Sequence, residues 1–200
     1  MASQTLRDGQ EAAVIDVGSN SVRLVVYRID GRAMTPILNE KVMAGLGRGM
    51  AKRGALSPEG VDMALRAIKR FQALNESLGV KDVFAVATAA VREAPDGAQF
   101  AKRVENETGV KLRILSGADE ARLSALGVTA GAPDARGMAG DLGGASLELI
   151  DLSAKGPGAG ETFALGPLAL ARDEEFDYQR VTDEVSLILA GAETLANHGG

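Results

Sequence analysis

Asp16-Val17-Gly18-Ser19-Asn20-Ser21-Val22-Arg23-Leu24-Val25 and Asp141-Leu142-Gly143-Gly144-Ala145-Ser146-Leu147-Glu148-Leu149-Ile150 follow one pattern, D-[VL]-G-x-x-S-x-x-L-[VI]. Each places an Asp at the end of an apolar run, then a turn of small residues, then a second β-rich run. This describes a strand, a tight turn and a strand. Successive N–H groups in such a turn form a concavity suited to anions. One copy would define only a hairpin. Two copies predict two related lobes, each presenting a phosphate-gripping turn with a carboxylate beside it, and chemistry between them.

Working outward, Ala12 to Asp16 and Val22 to Ile29 read as the strands of the first hairpin. Asp30-Gly31 is a turn signal. Pro36 to Ala44 reads as a third strand, with Pro36 at its start or on an edge. Gly45 to Gly49 reads as a flexible loop, and its spacing is not that of a dinucleotide-binding turn. Ser57-Pro58-Glu59 opens a helix with a side-chain cap, a Pro at the first position and an acid near the positive end. Val61, Ala64, Leu65, Ile68, Phe71, Leu74 and Leu78 form its apolar face, and Gly79 ends it. Val83 to Thr88 predicts a buried strand, Ala98 to Thr108 a helix, and Val110 to Leu115 a strand. Ser116-Gly117-Ala118-Asp119 has capping-box form and opens a helix to about Ala130. Gly131 to Asp134 reads as a linker. The strand-turn-strand pattern restarts at Met138, Glu161 to Leu165 follows as a strand, and Thr182 to Ala196 as a helix. The order β-β-β-α-β-α-β-α therefore covers residues 1–132, and its opening repeats in 133–200. The expectation is a complete first lobe and a partial second lobe.

Composition narrows the chemistry. Of the 200 residues 46% are hydrophobic, enough for a packed core, and only 4% are aromatic, so that core is aliphatic. There is no Cys, which excludes disulfides and thiolate catalysis and suits a cytoplasmic protein. The single His is His198, which disfavours a His-based triad. No apolar run is long enough to span a membrane, and Met1 to Glu11 carries no signal-peptide pattern. A net charge of −5 argues against general nucleic-acid binding, while leaving room for a polyanion gripped by local Arg and Lys.

With these stretches in place, the chain resembles the Ppx/GppA phosphatases, the exopolyphosphatases and guanosine pentaphosphate phosphohydrolases. The resemblance rests on Ala13 to Leu24, Ala87-Thr88-Ala89-Ala90-Val91-Arg92, Leu115 to Leu123 with its S-G-x-x-E-A-R-L signature, and Asp141 to Leu149, in family order. It implies an α/β fold of ribonuclease-H-like lobes with a mixed sheet, as in the actin and hexokinase superfamily. Ala145 and Leu147 depart from the family's usual second hairpin, where a Gly and a Thr stand. Gly199-Gly200 would open the loop that completes the second lobe.

The resemblance also assigns roles. Glu120, in the first turn of a helix beside the expected cleft, matches the family's catalytic Glu and would activate water. Asp119, in the capping box, reads as structural. Asp16 and Asp141 hold equivalent hairpin positions and would orient Mg²⁺, Asp141 also serving the chemistry; Glu148 would help orient water or metal. Gly18, Ser19, Asn20, Ser21, Gly143, Gly144 and Ser146 would bind phosphate through N–H groups and hydroxyls. Arg23 and Arg92 would clamp it, guanidinium forks matching phosphate oxygens. Arg48, Lys52 and Arg53 read as a solvated basic group. The implied substrate is polyphosphate or guanosine pentaphosphate, and the implied assembly of the longer family proteins a homodimer. Two alternatives stand beside hydrolysis: a non-catalytic polyphosphate- or nucleotide-sensing module, and an inactive fragment of the phosphatase. A sugar- or acetate-kinase-like phosphotransferase is disfavoured, since S-G-x-x-E-A-R-L is not its signature.

Overall fold

The computed structural model describes residues 9–31, 33–171 and 177–198. Gly199 and Gly200, and with them the expected start of a further loop, lie outside the described residues. The first sheet is built from β1 (Gln10–Val17), β2 (Val22–Asp30), β3 (Ala33–Val42), β4 (Asp82–Ala87) and β5 (Arg113–Ile114), in the order β3-β2-β1-β4-β5. β1 to β3 run antiparallel, while β4 and β5 join in parallel, so the sheet is mixed. Helices fill the crossovers: α1 (Met50–Arg53), α2 (Pro58–Leu78), α3 (Ala89–Glu93) and α4 (Gly97–Thr108). After α5 (Gly117–Gly131) comes a second, antiparallel sheet of β6 (Gly137–Leu142), β7 (Leu147–Ser153) and β8 (Gly156–Phe163), then α6 (Pro167–Leu170), α7 (Tyr178–Leu189) and α8 (Glu193–Ala196).

Period-two alternation drives the first sheet. Ala13, Ile15 and Val17 of β1 are fully buried on one face with Val22, Leu24 and Val26 of β2. Against that face α2 lays Ala64, Leu65, Ile68 and Phe71. The ends of α2 follow local rules. The Ser57 hydroxyl accepts from Gly60 N–H at 3.2 Å, and Gly79 ends the helix in the left-handed conformation, φ 71°. Leu78 is an exception to the expected apolar face, being exposed in the last turn beyond the sheet. Pro36 sits on the edge strand β3, where its missing N–H breaks no ladder bond, and the register shifts at Val26/Tyr27 opposite it.

The second sheet is covered by α5. Ala121 and Ala125 pack fully buried against Ile150 and Leu152. This helix joins the second sheet in packing although it precedes the linker in sequence.

Several elements differ from the sequence expectation for physical reasons. The Gly45–Gly49 loop is not flexible: Gly45 N–H donates to Asn20 O at 2.9 Å and Gly47 N–H to Ser19 O at 2.8 Å, which pins it to the first hairpin turn. β4 is not buried throughout, because β5 has only two residues and pairs only with Val86 and Ala87; Val83 and Phe84 are left exposed. β8 begins at Gly156, five residues before the expected start. The last helix is broken in two. Glu161 draws the chain into a new start by accepting from the N–H groups of Glu193 (3.1 Å) and Thr194 (2.6 Å), the free donors of a helix start. Ser116 caps α5 through Asp119 N–H at 3.1 Å, but the Asp119 carboxylate turns to Arg113 (3.3 Å), so the capping box is half formed.

Candidate active site

The two hairpins are built alike. In the first, Gly18 N–H donates to Ser21 O at 2.9 Å; in the second, Gly143 N–H donates to Ser146 O at 2.8 Å. In the first, Asp16 stands opposite Arg23; in the second, Asp141 stands opposite Glu148. The duplication thus extends to register, with one charge reversed.

The turn tips touch. A Cβ on Gly144 would lie 3.2 Å from Asn20 Cβ and N and 3.3 Å from Ser19 Cβ, so a side chain at Gly144 would push the turns apart. Among the described residues no acceptor meets the backbone N–H of Asn20 or of Gly144. The hydroxyls of Ser19 and Ser146, by contrast, are buried and engaged. Ser19 Oγ accepts from Ala90 N–H at 3.1 Å, and Ser146 bonds to Glu148. The unmet donors at these turns are therefore backbone N–H groups, and the side chains beside them, Asn20 and Ser21, are half-buried. Ala145 is buried and lines a cavity with Gly47, Met50 and Leu168; its methyl has its place in the packing behind the turn.

Beside the turns four carboxylates converge. Asp16 is solvent-accessible at the end of β1, yet burial of its surroundings raises its pKa to about 6, helped by repulsion from Glu120 and Asp141. Glu148 is 2% exposed and its Oε1 has no hydrogen-bond partner. Burial lifts its pKa to about 7; Ser146 opposes the rise, while Glu120 and Asp141 add to it. Asp16 and Asp141, from different sheets, thus lie close enough to repel one another.

Two cations answer these acids. Arg92 stands in the short helix α3, a helix the sequence did not signal. Its Nη1 donates to Glu120 Oε2 at 2.7 Å and to Leu115 O at 3.2 Å, with both side chains mostly buried. Arg23 is exposed, and its Nε donates to Asn39 Oδ1 at 2.9 Å. Arg48, Lys52 and Arg53 are exposed and away from these groups, in keeping with a solvated face.

Ser124 belongs to the site and was not singled out from sequence. It lies one helical turn after Glu120, and its hydroxyl donates to Asp141 Oδ2. Its i+4 spacing from Glu120 was the available signal. Ala121, Ser124, Asp141, Glu148 and Ile150 line a cavity of about 360 Å³ between α5 and the second sheet.

The raised pKa of Glu148 has a consequence for stability. A carboxyl whose folded pKa lies above its unfolded value is tolerated in protonated form, and the folded state weakens as pH rises through about 7. Glu148→Gln mimics the protonated acid. Its unfolding free energy should match that of the parent near pH 4.5 and exceed it at pH 8, by up to about 3 kcal/mol. Equal stability of the two chains at pH 8 in denaturant titrations would contradict this.

Two sheets whose matching hairpin turns touch at their tips, with acids gathered beside them, define an α/β protein of the ribonuclease-H-like, actin and hexokinase class. Residues 25–188 match the Ppx/GppA phosphatase family, and the chain belongs to that family. It is 35% identical over 165 residues to exopolyphosphatase 1 of Mycobacterium leprae, covering 80% of this chain and 48% of that protein. The corresponding figures for exopolyphosphatase 1 of Mycobacterium tuberculosis are 34% over 163 residues, 80% and 47%. The chain thus spans about half the length of these relatives. Among solved structures, an exopolyphosphatase from Cytophaga hutchinsonii superposes with a TM-score of 0.80 at 30% identity, over 93% of this chain and 61% of that one. The Ppx/GppA family member from Aquifex aeolicus superposes with 0.75 at 24% identity, over 90% and 60%, a likeness of fold.

Proposed function

We propose that this chain carries the site of a phosphoanhydride hydrolase that releases terminal phosphate from polyphosphate. The observation that supports this most is the tip-to-tip contact of the two turns with Glu120, Asp16, Asp141 and Glu148 gathered beside it. Guanosine pentaphosphate presents the same terminal phosphoryl chemistry. In the proposed reaction the terminal phosphoryl group rests on the N–H groups of Asn20 and Gly144. Glu120 takes a proton from a water as its oxygen attacks phosphorus, and the P–O bond to the leaving phosphate breaks. Arg92 offsets charge on the equatorial oxygens.

Four acids against two Arg side chains would repel a polyanion. Two features reduce that conflict. The carboxyls of Asp16 and Glu148 hold protons more readily than usual, with pKa values near 6 and 7. The donor set is also all oxygen, which suits a hard cation such as Mg²⁺. Among the described residues no three acid, His or Cys side chains form a closed metal cage. An ion that keeps several waters and uses one or two carboxylates needs none. Asp16 and Asp141 would hold it, and when bound it would supply further neutralisation of phosphoryl charge.

Phosphate release from linear polyphosphate and from guanosine pentaphosphate, each with and without Mg²⁺, tests the reading; release from neither would overturn it. Arg92→Ala should raise KM and lower kcat together, because the same guanidinium faces substrate and holds Glu120. A change confined to thermal stability would make Arg92 a structural residue.

A further inference from the structure

A row of three charged side chains crosses the first sheet, starting at the cleft. Asp16 of β1 stands opposite Arg23 of β2, and Arg23 stands opposite Lys41 of β3. Cross-strand partners in register share one face of a sheet. Here it is the face away from α2: Glu40, next to Lys41, points to the other side and pairs with Arg70 of α2 at 2.9 Å. All three members of the row are exposed.

Arg23 is oriented but not neutralised. Its Nε donates to Asn39 Oδ1 at 2.9 Å, and Asn39, two residues before Lys41, lies on the same face. Among the described residues no acceptor meets Arg23 Nη1 or Nη2, and none meets Lys41 Nζ. The row therefore leads from an acid to two unpaired cations. Burial is the main cause of the raised pKa of Asp16; Glu120 and Asp141 add to it, while Arg23 and Lys41 oppose it. Asp16 thus stands between the acids of α5 and the second sheet and a basic strip toward β3.

A polyphosphate held by its end at the turns carries charge on every phosphate behind that end. The acids repel those phosphates and the strip attracts them. The Arg23 fork can engage one phosphate in fixed geometry, and the Lys41 ammonium is a point charge that tolerates many poses. We infer that Lys41, beside Arg23 as Asn39 orients it, binds the phosphates behind the terminal one and selects chains of several phosphates over short ones. The inference rests on the proposed function in taking the terminal phosphate to sit at the turns.

Calorimetric titration with orthophosphate, tripolyphosphate and long-chain polyphosphate tests it, in a Glu120→Gln background that keeps the substrate intact. Lys41→Ala should weaken long-chain polyphosphate roughly fivefold, the scale of one exposed charge contact, and leave orthophosphate unchanged. Lys41→Glu should weaken the long chain further. Both should flatten the salt dependence of long-chain binding, because fewer counterions are released. Lys111→Ala, an exposed cation at the far end of the first sheet, should change nothing. Equal long-chain affinity with and without Lys41 would overturn the inference. So would an equal loss for orthophosphate, or no binding of long-chain polyphosphate at all. Phosphate release by the parent separates the two readings. Release with Lys41-independent binding leaves the hydrolase and removes the strip; Lys41-dependent binding without release does the reverse.

Discussion

Replacing Glu120 with Gln is expected to lower turnover on polyphosphate by about two to four powers of ten, the range over which a positioned general base contributes. The amide keeps the size of the side chain and can still accept from Arg92, whose Nη1 lies 2.7 Å from Glu120 Oε2. It cannot take a proton from water. Affinity should hold or improve, because one negative charge beside the phosphate is lost. Steady-state kinetics separate these effects, and a Gln variant with near-parental kcat would return Glu120 to the role of an acid at a helix start, favoured there by the helix dipole alone.

The second large effect concerns Gly166. A Cβ at this position would stand 2.4 Å from the backbone N and C of Ala145, inside the second hairpin turn. The two segments are also bonded: Gly166 N–H donates to Ala145 O at 3.1 Å, and Leu168 N–H to Gly144 O at 2.8 Å. Backbone cannot yield as the tip of a flexible side chain does. Gly166→Ala should therefore destabilise by about 3 kcal/mol, at the upper end of overpacking. For a chain of this size that lowers the unfolding temperature by roughly 6–12 °C. It should also displace Gly144 from Asn20 and weaken phosphate binding. Ala at Gly127, where a Cβ meets nothing within 4 Å, serves as the control. Equal melting temperatures for the two variants would show that the turn and α6 are not packed as described.

The spine of the fold was legible in sequence because its signals are local. The Asp-x-Gly-x-x-Ser spacing marks each hairpin by itself, and the cap at Ser57 with the stop at Gly79 brackets α2 without reference to anything else. The helix carrying Arg92 was not legible. Five residues, Ala89–Glu93, are too few for a helical period to register. The pinned state of Gly45–Gly49 was hidden for another reason. Its carbonyl partners, Ser19 and Asn20, lie far back in the chain, and a Gly-rich run looks the same whether free or docked. The doubled motif pointed to Asp16 and Asp141; Glu120 and Glu148 entered only through the family resemblance. That Glu148 is the most deeply buried of them, with an unpartnered oxygen, depends on how α5 lies over β7, which periodicity does not encode.

The contact of Gly144 with Ser19 and Asn20 sets where the molecule can bend. Rotation about a point displaces each atom in proportion to its distance from that point. When one sheet tilts against the other about the touching turns, groups at the tips and the start of α5, which Arg92 holds through Glu120, barely move, while the far end of α5 swings more widely. On the proposed function, a phosphate seated at the tips would keep its grip through such a motion. The fulcrum would then separate holding from gating, the mouth admitting the next stretch of a long anionic chain while its end stays in place.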